Sequence, residues 1–161
     1  TCTKSAIECM ADELRKVDYT PVIQESADNL PAPLRDALIE FDISLHGECH
    51  PDDAGKDCRL AVYDHWGATG GLPGSIWVSP SGYVLGLMDD IMLHEAFHAY
   101  HLNKAECVEE TTGVGNVYID QMDLLADRVT EYYGGTFQYY RGGGPLTAEE
   151  TAAIELMFET C

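Results

Sequence analysis

Between Ile91 and Tyr100 the chain reads Ile-Met-Leu-His-Glu-Ala-Phe-His-Ala-Tyr, with Glu95 its only acidic residue and no lysine or arginine. Asp89 and Asp90 stand just ahead of it, where acidic residues suit the positive N-terminal end of a helix. Ile91, Met92, Leu93, Ala96, Phe97, Ala99 and Tyr100 place apolar side chains on every side, and a helix apolar all round is buried. Two histidines and a glutamate inside such a helix need a chemical reason. His94 and His98 are four residues apart, which on a helix puts them on one face, about 6 Å apart along the axis. Two imidazoles so placed can converge on one zinc ion at about 2.0 Å each. Glu95 projects from the next position and can reach a water on the open side of the metal. The rival reading, two core histidines held by hydrogen bonds, gives Glu95 no task.

The segment Ile91 to Tyr100, with its His94-Glu95-Ala96-Phe97-His98 motif, resembles the active-site helix of the zincin metallopeptidases. The resemblance covers that helix and, more loosely, the strands before it and the helix after it. It implies zinc as cofactor and peptide-bond hydrolysis by a zinc-activated water, with Glu95 as the catalytic general base. It also implies a short edge strand ahead of the helix, where an extended substrate pairs by backbone hydrogen bonds. Ser75 to Ser79 is the expected strand.

A catalytic zinc takes three protein ligands and a water. The metzincin extension fails here, because His101 and Lys104 stand where it needs a glycine and a ligand. His101 shares a face with His94 and His98, but seven residues separate it from His94, about 10.5 Å along the axis, too far for one tetrahedral ion. The gluzincin pattern draws its third ligand from a Glu-x-x-x-Asp arrangement on a following helix. Asp123-Leu124-Leu125-Ala126-Asp127 resembles it, with aspartate in place of glutamate, so that helix must lie closer to the metal. The match implies Asp123 as metal ligand beside His94 and His98, with Asp127 orienting a liganding histidine. Asp120 is the rival. It precedes Asp123 by three residues and ends Gly115-Asn116-Val117-Tyr118-Ile119-Asp120, an imperfect echo of the aspzincin Gly-Thr-x-x-x-Asp motif. Glu106, Glu109, Glu110 and Glu131 are outsiders, and a solvated helix face is the competing role for all of these acids.

Six cysteines, at 2, 9, 49, 58, 107 and 161, include no Cys-x-x-Cys pair. That spacing does not suit a thiolate zinc site or a redox motif. An even number spread from end to end reads as disulfides in an exported protein. Cys49 and Cys58 flank a polar loop and form the expected pair, while Cys2, Cys9, Cys107 and Cys161 tie down the termini. The net charge of −19 opposes binding to nucleic acid or to anionic membrane surfaces. The expected partner is a protein or peptide substrate met by a secreted monomer.

With 161 residues the chain is long enough to bury a core as one domain. Thr3 to Val17 reads as an amphipathic helix, and Leu34, Leu38 and Phe41 continue a second apolar stripe behind Pro31 and Pro33. Arg59 to Asp64, Ser75 to Ser79 and Tyr83 to Leu87 read as strands, with Pro80-Ser81-Gly82 a turn and the Gly67 to Gly74 segment a loop bordering the cleft. After the motif helix come a loop at Gly113 to Asn116, a helix over Tyr118 to Tyr133 that stops at Gly134-Gly135, and a last helix capped by Thr147 with Glu150. The order implies an α+β fold, a small zincin-like domain. N-terminal helices and a small sheet back the motif helix, and the C-terminal part is mainly helical.

Among Tyr118, Tyr132, Tyr133, Tyr139 and Tyr140 one could stabilise an oxyanion, and His65 could face the cleft. His46 and His50 repeat the four-residue spacing of His94 and His98, but Gly47 and Pro51 argue against a regular helix there. Asp52, Asp53 and Asp57 do not match an EF-hand loop. A zinc-binding secreted effector or binding module without general peptidase activity is the alternative to the peptidase.

Overall fold

The computed structural model describes residues 9, 10, 13, 17–53, 57–65, 74–114, 119–136 and 144–161, with the backbone alone at 119 and 120. In chain order the elements are α1 (Thr20–Asp28), α2 (Ala32–Glu40), β1 (Ser44–His46), a 3-10 turn (Pro51–Asp53), β2 (Ala61–Asp64) and β3 (Ser75–Val78). They continue with α3 (Pro80–Val84), α4 (Met88–Asn103), α5 (Ala105–Thr112), α6 (Ile119–Tyr132) and α7 (Ala148–Thr160). Among the described residues this is an α+β arrangement of seven α-helices and one three-stranded mixed sheet. Of the helix expected over 3–17, Cys9, Met10 and Glu13 are helical and most of the rest lies outside the described residues.

The apolar run forms the middle of α4, and all its residues from 91 through 101 are buried. The other elements surround it. Ile23 and Ala27 from α1, Leu34 and Leu38 from α2, Ala126 and Val129 from α6, and Ile154 and Met157 from α7 join its side chains in one core. Leu34 and Leu38 are the expected stripe, and Pro33 sits in the first turn of α2, where its missing N–H has no partner to lose. Fully burying one such aliphatic side chain contributes about 1.5–3 kcal/mol, so the contacts to α4 hold most of the fold together.

The sheet order is β1-β3-β2, with β1 parallel and β2 antiparallel to β3. The strand at 75–78 is therefore central, paired on both sides, and cannot serve as the edge that a substrate would extend. The edges are β1 and β2. Register places Leu45, Ile76 and Tyr63 side by side on the core face. Ser44, Ser75 and Asp64, with His46 and Trp77 two residues on, share the opposite face.

No strand forms at 83–87. Ser79 caps a short helix there instead, its hydroxyl accepting from the Gly82 N–H, with Pro80 in the first turn. Gly82 lies so close to strand β2 that an added Cβ would meet the Leu60 carbonyl oxygen at 2.5 Å. Gly86, at φ 68°, then turns the chain into α4. Local capping and this close approach outweigh the strand preference of Tyr83 and Val84. The third strand is β1, a three-residue segment that no alternating pattern announces.

Cys49 pairs with Cys58, as expected, and Cys107 with Cys161. Cys9 is also disulfide-bonded. The 107–161 bridge ties the end of α7 to α5, beside a hydrogen bond from Lys104 Nζ to the Cys161 carbonyl. These disulfides fit maturation in an oxidising environment. Thr147 and Glu150 form the expected capping box at the start of α7. Among the described residues no helix is long and apolar enough to cross a membrane.

Candidate metal centre

Helix α6 brings two stripes against α4. Met122, Ala126 and Val129 are buried and apolar, and Asp123, Asp127 and Thr130 lie one residue further on, equally buried. Asp123 meets His98 and Asp127 meets His94, so the two helices run antiparallel at this point.

His94 Nε2 and His98 Nε2 stand 3.0 Å apart. Asp123 Oδ1 lies 3.0 Å from His98 Nε2 and 3.7 Å from His94 Nε2. Donors held about 2.0–2.1 Å from a tetrahedral ion lie about 3.3 Å from one another, and the three observed separations bracket that value. Among the described residues His94, His98 and Asp123 are the group that could hold a metal ion. On its far side His94 Nδ1 meets Asp127 Oδ1 at 2.9 Å. A neutral imidazole that donates Nδ1–H to Asp127 presents its Nε2 lone pair to the centre.

Exposure of the three residues is small: 3% for His94, 9% for His98 and 8% for Asp123, with Glu95 at 5%. Glu95, Asp123 and Asp127 thus crowd three carboxylates around two imidazoles inside the core. Buried charges persist where they are paired or bind a metal. In the metal-free chain a proton serves. Burial disfavours it on His94, but hydrogen bonds to Asp123 and Asp127 and the charges of Glu95 and Asp127 outweigh burial and hold the imidazole up at about 9. An oxygen- and nitrogen-lined site already arranged around a cation suits a divalent ion.

His101 stays outside the cluster. It is fully buried, packs against Phe97 with ring centroids 5.7 Å apart, and has the Val114 backbone as a polar neighbour. Burial and the neighbouring His98 push it down to about 4. The side chain of Asp120 lies outside the described residues, as do Tyr118, Tyr139, Tyr140 and all of the 67–74 loop but Gly74. Glu131 is engaged with Arg128 and the Leu146 N–H, and Glu106, Glu109 and Glu110 are exposed on α5. Tyr132 and Tyr133 pack edge to face at 4.9 Å, and burial, with Tyr132 beside it, pushes the Tyr133 hydroxyl up to about 12. His65 meets the Tyr63 hydroxyl at 3.0 Å, at the end of β2. Asp53 pairs with Arg59.

The second pair of histidines at the same spacing makes no such centre. His46 stacks on Trp77 at 3.9 Å and meets Ser44, whereas His50 pairs with Asp64 at 3.2 Å. The His50–Asp64 pair joins residues fourteen apart in the chain, and no motif in the sequence marks it. Nor does any motif mark a groove at the N-terminal end of α4, whose lining includes none of His94, His98 and Asp123. It is built from separate segments of the chain, each unremarkable alone. Comparison with family profiles, with curated proteins and with solved structures finds no match to this chain.

Proposed function

We propose that the chain is a secreted zinc-dependent metallopeptidase of zincin-like type, with His94, His98 and Asp123 holding the zinc and Glu95 as the catalytic base. The observation that carries this reading is the convergence of His94 Nε2, His98 Nε2 and Asp123 Oδ1 within 3.0 to 3.7 Å of one another, with Glu95 next to His94 on the same helix. Zinc at that place would supply a Lewis acid and a water of lowered pKa. Glu95 would accept the proton of the attacking water and return it to the leaving amine. Asp127, bonded to His94 Nδ1, would keep that ring in the tautomer and orientation that direct Nε2 inward. The surrounding apolar side chains of α4 exclude bulk water and strengthen each of these contacts.

Zinc content per chain, measured alongside casein cleavage for the unaltered chain and Glu95→Gln, tests the proposal. One zinc in both, with cleavage lost by a factor of about 100 or more in the variant, is the expected result. The low exposure of the three donors favours one competing reading, a zinc-binding effector or binding module without general peptidase activity. That reading predicts one zinc and no cleavage by either protein. Absence of stoichiometric metal would overturn both.

A further inference from the structure

The 107–161 disulfide divides the metal centre in two. Its cysteines are 54 residues apart, and between them lies the whole of α6 with Asp123 and Asp127. His94, Glu95 and His98 stand outside that loop, on α4. The 49–58 disulfide spans a separation of 9 and encloses none of the three donors.

Helix α7, which leads into Cys161, straps α6 to α4. Near its start Glu150 Oε1 lies 3.2 Å from Arg128 Nε, and just ahead of it the Leu146 N–H donates to Glu131, so both contacts reach α6. Ile154 and Met157 then share the core with Ala126 and Val129 of the same helix. At the far end the Phe158 ring lies 5.2 Å from that of Tyr100 on α4 and 5.7 Å from that of Tyr133, which follows α6. The Cys161 carbonyl accepts from Lys104 Nζ at the junction of α4 and α5, and the half-buried bridge to Cys107 fixes this end covalently.

Affinity for an ion depends on how much of the donor set is in place before the ion arrives, because binding otherwise has to order the missing part. The two imidazoles are in place on one turn of one helix. The third donor is in place only while α6 is docked on α4. A crosslink across the segment that carries α6 removes undocked conformations, and does so more for a longer loop.

We propose that the 107–161 disulfide gates metal loading. With the bridge closed, Asp123 stands against both histidines and the centre binds zinc tightly. With Cys107 and Cys161 as thiols, the centre falls back on two imidazoles and binds zinc weakly. Closure is thiol–disulfide exchange with a small disulfide such as oxidised glutathione. One cysteine thiolate attacks a glutathione sulfur and expels the first glutathione, and the other cysteine displaces the second from the mixed disulfide. The two electrons and two protons leave on the two glutathione thiols. In a reducing compartment the chain stays poor in metal, and export to an oxidising one completes the centre.

This inference rests on the metal centre of the metallopeptidase reading but not on peptide cleavage. Zinc affinity is measured by competition with a coloured chelator for three oxidised proteins: the unaltered chain, Cys107→Ser with Cys161→Ser, and Cys49→Ser with Cys58→Ser. The first double variant is expected to bind zinc about tenfold or more weakly with unchanged circular dichroism, and the second to match the unaltered chain. Should loss of the bridge unfold the chain, the unaltered protein carries the test alone. By linkage, zinc must favour closure by the same factor as closure favours zinc. In glutathione redox buffers at fixed free zinc, the equilibrium of Cys107 and Cys161 is read by alkylation and mass spectrometry. It should shift about tenfold or more towards the disulfide relative to zinc-free buffer, while that of Cys49 and Cys58 stays in place. Equal zinc affinity with and without the bridge, or an equilibrium that zinc does not move, overturns the gate and leaves the metallopeptidase reading standing. Equal loss of zinc in both double variants also overturns it, because the bridge then acts through general stability. Zinc affinity that follows the bridge, in a chain that never cleaves casein, keeps the gate and removes the peptidase.

Discussion

His94 with His98 and His46 with His50 are two pairs at the same spacing with opposite fates. The first pair rides on an unbroken helix, so one turn stacks the rings on a single face, 4.7 Å between centroids. A second helix then supplies Asp123 to both. The second pair straddles the end of β1 and the turn at Gly47. His46 is drawn to Trp77 and Ser44, and His50 to Asp64 on the far edge of the sheet. In this chain the spacing gathers a candidate metal site where the backbone between the two residues is helical and a third donor arrives from another helix.

The sharpest way to break the comparison is to remove the third donor. Asp123→Ala is expected to abolish stoichiometric metal after dialysis, whereas His50→Ala keeps it, and metal analysis of the two proteins decides. Metal retained by Asp123→Ala would place the third ligand elsewhere.

A proton would compete with a bound metal for His94. Because its pKa is raised from 6.5 to about 9, the ring is protonated at pH 7 in the metal-free chain, and the metal must displace that proton. Apparent metal affinity should therefore climb by up to about tenfold per pH unit from pH 7 and level off above about 9. The same shift stabilises the metal-free chain below pH 6.5, and that contribution is lost as pH rises through about 9. Asp127→Asn removes one of the groups that hold the proton, so the climb should end at lower pH. It should also weaken metal binding by about 10–100-fold, as read by competition with a coloured chelator. A profile that does not move in Asp127→Asn would remove Asp127 from the centre.

The smallest effect belongs to the sheet pair. His50→Ala deprives Asp64 of a buried donor and the Asp52 N–H of its acceptor. The expected loss is about 1–3 kcal/mol of stability, measured by urea unfolding, with metal content unchanged. No loss of stability would mean that solvent replaces the ring at no net cost.

The cluster was legible because its features are local. A uniformly apolar helix that carries histidines four residues apart, and two aspartates four apart on a later helix, are patterns of one helical turn each. The capping box at Thr147 and the 49–58 disulfide are local in the same way, and both formed as read. The misreadings are non-local. Tyr83 and Val84 have strand preferences, yet the Ser79 cap and the close passage of Gly82 by Leu60 made a helix of the segment. The 75–78 strand has the right composition for an edge, but only pairing with β1, thirty-one residues earlier by register, makes it central.

Sequence by itself determined that α4 is buried and that two imidazoles and a carboxylate travel into the core on it, because helical periodicity and apolar composition act within a few residues. Only the tertiary structure brought Asp123 against both His94 and His98 and drew His46 and His50 to separate partners. Those outcomes depend on contacts between segments far apart in the chain, whose geometry is set by packing around α4 and not by any stretch of residues read alone.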